Sequence, residues 1–217
     1  MKKSIIILLF LALAISIQTT AKASYYILTP IDDIRGSADN GGFTINDHRL
    51  HTVNFAYHVL SYLKFDLSDV DDSGICSAKL YLYEIDSGYT NRAETIELYA
   101  GSHDNWNEQT PFPQLPTTSG GYITRASYPA NWYDWMTWDL SSYDFTQDLQ
   151  DNYLTLILEI NSGGLWNMTA WASSEYPDQS LSPYLQISTN AVPLPPSVIL
   201  LLSGMGAIFV SKKKASR

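Results

Sequence analysis

The stretch "YLKFDL", Tyr62 to Leu67, decides the fold class. Successive side chains of an extended strand point to opposite faces, so Leu63, Phe65 and Leu67 share one side while Tyr62, Lys64 and Asp66 share the other. An unpaired buried Lys or Asp is costly, which makes the charge-free side the core side. The same period of two runs through "AKLYLYEI", with Ala78, Leu80 and Leu82 set against Lys79, Tyr81 and Tyr83. It returns in "YLTLILEI", where Leu154, Leu156, Leu158 and Ile160 oppose Thr155, Ile157 and Glu159. The pattern predicts an outward tyrosine set, Tyr62, Tyr81 and Tyr83, that cross-strand pairing sets side by side.

Working outward, "YYILTPI", "TIELYAG", "GYITRAS", "YDWMTWDL", "WNMTAWAS" and "PYLQIS" read as further strands, about nine or ten in all. Helical periodicity occurs only at Ser141 to Leu149, where Ser142 is placed to cap and Phe145 and Leu149 lie four apart. Many short strands with Gly, Asp, Asn and Pro turns and no βαβ alternation predict an all-β chain, a jelly-roll β-sandwich. Residues 24–188 are long enough for one domain with a proper core. Cys76 is the only cysteine, so no internal disulfide can form, and its strand-like surroundings predict a small buried hydrophobe.

Both ends differ from this middle. Lys2 and Lys3 precede an apolar run from Ile5 to Ile17, and Ala21-Lys22-Ala23 supplies a cleavage site, so residues 1–23 read as a secretory signal peptide. Residues 189–217 form a proline-rich joint, an apolar segment over 197–210, and a basic end with Lys212, Lys213, Lys214 and Arg217. As a helix the apolar segment spans ~21 Å at roughly 1.5 Å per residue, short of the ~30 Å hydrocarbon core. Lysines on the cytoplasmic side of such a segment obey the positive-inside rule. This is the layout of a removable sorting tag; a membrane tether that stays in place is the alternative. The tail resembles the PEP-CTERM sorting signals of Gram-negative bacteria in the Val-Pro-Leu-Pro variant, here Val192, Pro193, Leu194 and Pro195. That resemblance implies passage through the inner membrane, recognition by an exosortase, and delivery to the cell surface or extracellular matrix.

Charge narrows the partners. Residues 24–191 hold all 22 acidic residues but only six of the 13 Lys and Arg, a balance of −16. Such a field excludes nucleic acid. It also repels polyanionic glycans unless a divalent cation bridges the two. Two acidic groups, Asp32 with Asp33 and Asp69 with Asp71 and Asp72, raise calcium as a cofactor, since that ion takes several carboxylate and carbonyl oxygens. Neither group has EF-hand or nonapeptide-repeat spacing, and solvated turn carboxylates are the other account of them.

The densest aromatic stretch is "NWYDWMTWDL". Strand parity sends Met136, Trp138 and Leu140 to the core and leaves Tyr133 and Trp135 outside. An outward Trp beside a Tyr can stack on the apolar CH faces of sugar rings, with Asn131 and Asp134 at hand for their hydroxyl rims. The expected ligand-binding residues are therefore Trp135, Tyr133, Asn131 and Asp134. Catalysis finds no support: His48, His51, His58 and His103 lack zincin spacing, and no G-x-S-x-G occurs. Asp104 and Glu108 flank Trp106 in what reads as a turn followed by a strand start.

The run "SYLKFDLSDV" followed by "ICSAKLYLY", and then "DNWNEQT", "MTWDLSSY" and "WASSEYPDQSLSPYLQI", resembles the DNRLRE-domain group of secreted bacterial proteins. That group is related to alginate-binding carbohydrate-binding modules with a jelly-roll fold. The resemblance covers most of residues 25–188, most specifically Leu63 to Ser68 and Ser173 to Leu185. It implies a non-catalytic module with a polysaccharide partner. The chain departs from the group after Trp106, Glu108 and Thr110, where Pro111, Phe112 and Pro113 to Pro116 follow, and basic residues to grip an anionic polymer are scarce. A purely structural or adhesive matrix protein with no glycan ligand is the second functional reading.

Overall fold

The computed structural model describes residues 23–37, 42–54, 58–71, 74–86, 94–129, 131–160 and 167–190. The expected signal peptide, the Val192–Pro195 motif and the 197–210 segment lie outside them. Twelve strands are seen: β1 (Tyr25–Leu28), β2 (Asp32–Ser37), β3 (Phe43–Ile45), β4 (Arg49–Asn54), β5 (His58–Asp66), β6 (Ile75–Asp86), β7 (Glu94–Ala100), β8 (Gly121–Tyr128), β9 (Trp135–Asp139), β10 (Tyr153–Ile160), β11 (Asn167–Ala172) and β12 (Tyr184–Thr189). Among the described residues one short α-helix, α1 (Thr146–Asp151), precedes β10. All the strand pairings are antiparallel, and they link the strands into one curled sheet in the order β1-β12-β6-β11-β4-β5-β10-β7-β8. β9 pairs with β6, and β2 pairs with β5 and β3.

The long β6 explains the curl. It pairs with β12 and β9 along most of its length and with β11 near its end, so it carries the sheet from one layer into the other. The layer β1-β12-β6-β9 then faces the layer β2-β5-β10-β7-β8. The charge-free sides meet between them: Leu63 and Phe65 of β5, Leu80 and Leu82 of β6, Leu156 and Leu158 of β10, and Leu185 and Ile187 of β12 are all fully buried. Each such side chain is worth roughly 1.5–3 kcal/mol when removed from water. Trp138 and Trp171 meet edge to face at 6.0 Å in the middle, where the Trp138 indole donates to the Ile96 carbonyl at 3.1 Å. The fold is the all-β, jelly-roll type of sandwich that the alternation predicts.

Three strands, β2, β3 and β4, were not expected from the sequence. Their inward positions include Asp33, Ser37 and Thr52, all fully buried, so polar residues interrupt the apolar alternation that betrays the other strands. The expected helical turn exists but starts later, at Thr146. Its N-cap is Phe145 rather than Ser142, and just before it the Asp144 carboxylate accepts from the Thr146 amide at 3.0 Å and the Thr146 hydroxyl at 2.5 Å. Phe145 is buried, and the Leu149 amide donates to its carbonyl at 2.9 Å. Cys76 is exposed rather than buried. Ser188 faces Ser77 and Thr189 faces Ile75, so Cys76 is the extra residue of a bulge, and the inward parity of Ala78 and Leu80 does not extend to it.

Candidate functional site

The outer faces of the two layers have different fates. On the β2-β5-β10-β7 layer the segment 101–120 lies down over the sheet. Trp106, Phe112 and Leu115 pack there on Ile34, Tyr62 and Ile157, making a second, smaller core. Tyr62 is thus 1% exposed, which corrects its expected place in an outward tyrosine set. Gly36 permits the close approach, since a Cβ there would sit 3.0 Å from Phe112 and 3.1 Å from Leu115. Trp106 is held inside a loop and begins no strand: its indole donates to the Thr155 hydroxyl at 2.8 Å, which in turn donates to Asp104 at 2.6 Å. Lys64 is buried beneath the same loop, paired with Asp32 at 2.6 Å, donating to the Trp106 carbonyl and lying 5.2 Å from the Trp106 ring.

The outer face of the β1-β12-β6-β9 layer carries an aromatic strip instead. Cross-strand register builds it. Tyr184 of β12 opposes Tyr81 of β6, and Tyr83 of β6 opposes Trp135 of β9. Tyr81 and Tyr184 stack at 4.6 Å with planes 11° apart. Trp135 meets Tyr83 at 5.5 Å and Tyr184 at 5.2 Å, both edge to face. Tyr25 and Ile27 extend the strip onto β1, 58% and 60% exposed. Trp135, Tyr81, Tyr83 and Tyr184 are each partly exposed, so ring faces and edges remain open to solvent.

At one end of the strip stands the turn before β9, with Trp132 and Tyr133 40% and 50% exposed. Asn131 and Tyr133 both have positive φ, 55° and 44°. Such geometry is uncommon outside glycine and persists only where neighbours enforce it. Here the enforcer is Glu84, nearly fully buried on β6: its carboxylate accepts from the Tyr133 amide at 2.8 Å and also from the Trp132 amide. Burial pushes its pKa up, against the pull of those two amides. The Tyr83 hydroxyl donates to the Tyr133 carbonyl at 3.0 Å, the Tyr133 hydroxyl to Asn131 at 3.4 Å, and the Trp135 amide to Asp134 at 2.7 Å. The four expected residues, Trp135, Tyr133, Asn131 and Asp134, therefore sit together around one fixed turn. Glu84, Tyr184 and Tyr25 were missed. Glu84 has inward parity in "AKLYLYEI", and a buried carboxylate inside an apolar phase was the available signal.

The acidic groups are dispersed. Asp32 and Asp33 are neighbours on a strand and face opposite ways: Asp32 pairs with Lys64, whereas Asp33 is fully buried and accepts from the Ser174 amide at 2.7 Å. Burial, with Glu175 nearby, pushes the Asp33 pKa up to about 7 even though Ser174 opposes the shift. Asp69 and Asp71 lie exposed in the turn after β5, and Asp72 is outside the described residues. Among the described residues no three His, Cys, Asp or Glu side chains converge as a metal site. Asp33 has a different visible task, fastening the β11–β12 loop. There Ser173 and Ser174 both hydrogen-bond Glu175, and Gln179 donates to the carbonyls of Ser174 and Tyr176.

With this geometry in view, the match to a protein-family model becomes decisive. The model of carbohydrate-binding module family 96 matches residues 38–189, most of the chain. The chain belongs to that family. The matched stretch holds Tyr62, Trp106, Leu115 and Ile157 of the second core, the rings of Tyr81, Tyr83, Trp135 and Tyr184, and the β11–β12 loop, while Tyr25, Ile27, Asp33 and Ile34 precede it; the two motifs most specific to the sequence resemblance acquire structural roles. Leu63 to Ser68 forms core strand and turn, with Asp66 accepting from the Ser68 amide at 2.8 Å. Ser173 to Leu185 is the loop that Asp33 anchors. No curated protein matches the sequence.

Proposed function

We propose that the module binds a polysaccharide along the aromatic strip of the β1-β12-β6-β9 layer and performs no catalysis. One observation carries the reading: of two outer faces built by the same alternation, one is sealed by the 101–120 segment, and the other displays Tyr81, Tyr83, Trp135 and Tyr184 with Tyr133 raised at its end. A row of partly exposed ring faces and edges offers apolar surface to the CH faces of sugars, and Asn131, Asp134 and the tyrosine hydroxyls supply partners for the rims. The family supports the ligand class. Export and surface delivery rest on the N-terminal apolar run and on the Val192–Pro195 motif with its basic end; an exosortase is the proposed partner of that tail.

Affinity electrophoresis of the full-length chain through gels containing neutral, acidic and amino polysaccharides tests the binding. Retardation by at least one of them, abolished in Trp135→Ala and weakened in Tyr184→Ala, is the expected result. Mobility unchanged in every gel would leave a structural or adhesive matrix protein as the better description.

A further inference from the structure

A second concavity lies away from the aromatic strip. It is a cavity of about 860 Å³ at the end of the sandwich, between the start of the 101–120 segment and the α1 region that leads into β10. Its size falls in the range of roughly 300–1,000 Å³ typical of small-ligand sites. Four carboxylates line it: Asp104, Asp144, Asp148 and Asp151. His103 is the one basic side chain in the lining. Lys64, 6.0 Å from the Tyr153 ring, is already paired with Asp32.

Three of the carboxylates have local work. Asp104 accepts from Thr155, Asp144 accepts from the Thr146 amide and hydroxyl, and Asp151 accepts from the Tyr153 amide at 3.1 Å. Asp148 differs. It is 9% exposed, hydrogen-bonds Tyr143, and keeps its Oδ2 buried with no hydrogen-bond partner. A buried acceptor left open is costly, and it sits in the wall of a cavity that three further carboxylates line. Burial, reinforced by Asp104 and Asp151, pushes its pKa up to about 7, so the site itself holds it partly protonated.

A site with this lining calls for a ligand rich in donors and positively charged. A compact metal ion does not fit, because the carboxylates are spread around the wall and no three converge. An ammonium group offers three donors and one positive charge, and the rings of Tyr143 and Tyr153 supply apolar surface for the body that carries it. We propose that this cavity is a second glycan site, which takes the protonated amine of a de-N-acetylated hexosamine residue with Asp148 and Asp104 as its acceptors. The ligand class rests on the carbohydrate-binding reading, but the site is separate from Trp135. It also uses the charge of residues 24–191, six basic against 22 acidic, as attraction rather than as an obstacle.

The test compares a glucosamine hexamer with an N-acetylglucosamine hexamer, by titration calorimetry on the full-length chain near pH 6, with spermidine as a free polyamine. The expected result is at least a tenfold preference for the amino over the acetylated hexamer, with spermidine weaker than the amino hexamer. Asp148→Asn, which keeps shape but cannot become a carboxylate when an ammonium group docks, and Gln147→Lys, which places a cation at the exposed rim, should each bring the preference close to one. Trp135→Ala should weaken both hexamers and keep their ratio. No preference in the wild type, a preference retained in both cavity variants, or spermidine binding as tightly as the amino hexamer would overturn the proposal. Failure of Trp135→Ala to weaken either hexamer would count against the aromatic strip and leave the cavity standing.

Discussion

The rings of Trp135 and Tyr184 touch edge to face at 5.2 Å although their strands are not neighbours; β6 runs between β9 and β12, and the two side chains meet over it. One contact thereby ties three strands and shapes the proposed platform. Aromatic pairs of this kind contribute about 0.5–1.5 kcal/mol beyond their buried area. A double-mutant cycle of Trp135→Ala and Tyr184→Ala, followed by urea unfolding, should give a coupling of about 1 kcal/mol. Glycan retention should fall further with Trp135→Ala than the stability loss explains, because the folded fraction stays high.

Glu84 gives a sharper separation of position from contact. It reaches no exposed surface, yet it holds the Tyr133 and Trp132 amides and with them the positive φ of Tyr133. Removing it in Glu84→Ala takes the acidic acceptor from two part-buried amides, so stability should drop by about 1–3 kcal/mol. Affinity for the retained polysaccharide should fall as well, with Trp135 fluorescence still reporting a partly buried indole. Glu84→Gln keeps an acceptor oxygen and should recover much of both losses.

The sequence made the main core legible because Leu63, Phe65, Leu80, Leu82, Leu156 and Leu158 alternate without interruption, and the outward place of Trp135 followed from the parity of Trp138, whereas Tyr133 is exposed in the turn before β9, where strand parity does not apply. Parity alone could not say what lies on top of an outward residue. Tyr62 and Tyr81 have identical local patterns, and only the descent of Trp106 and Leu115 onto one sheet buries the first and leaves the second partly open. Asp33 and Thr52 hid β2 and β4 for a related reason: a polar inward residue with a tertiary role looks, in sequence, like an outward one. Tyr184 lay in a recognised strand, but its place beside Trp135 depends on β12 pairing with β6, a long-range fact that no local stretch contains.

Stability should respond to pH through two buried carboxylates. The folded-state pKa values of Asp33 and Asp148 are pushed from 3.8 up to about 7, in both cases chiefly by burial. Between those values the folded chain binds more protons than the unfolded one, so stability falls as pH rises through that window. Below it the lowered carboxylates of Asp66 and Asp139, held by Ser68 and Ser141, lose their contribution in the opposite sense. Thermal unfolding should therefore show its highest midpoint near pH 4, a lower one at pH 6 and a lower one still at pH 8. Asp148→Asn should flatten the decline without removing it, because Asp33 remains.

Cys76 tests the β6 bulge directly. Its thiol is exposed and donates to the Ser188 carbonyl at 3.3 Å. An aromatic disulfide reagent should modify one thiol per chain under native conditions, at a rate that denaturant raises only modestly. Strong protection in the native state would mean that the parity of Ala78 continues through Cys76 and that the bulge is absent.

The 101–120 cover should be energetically as much a core as the space between the layers. Trp106 fills the gap over Tyr62, meets that ring at 6.1 Å, and hydrogen-bonds Thr155, while its carbonyl accepts from Lys64. Truncation in Trp106→Ala removes a buried indole, a change that costs about 3–5 kcal/mol in protein cores. It also uncovers Lys64 and Asp32, whose pairing then takes place in a wetter environment and stabilises less. Urea unfolding should show a loss of that size, and a hydrophobic dye should bind the variant where it ignores the parent, because Ile34, Tyr62 and Ile157 would face solvent. The aromatic strip sits on the other layer, so glycan retention measured well below the unfolding midpoint should survive in Trp106→Ala.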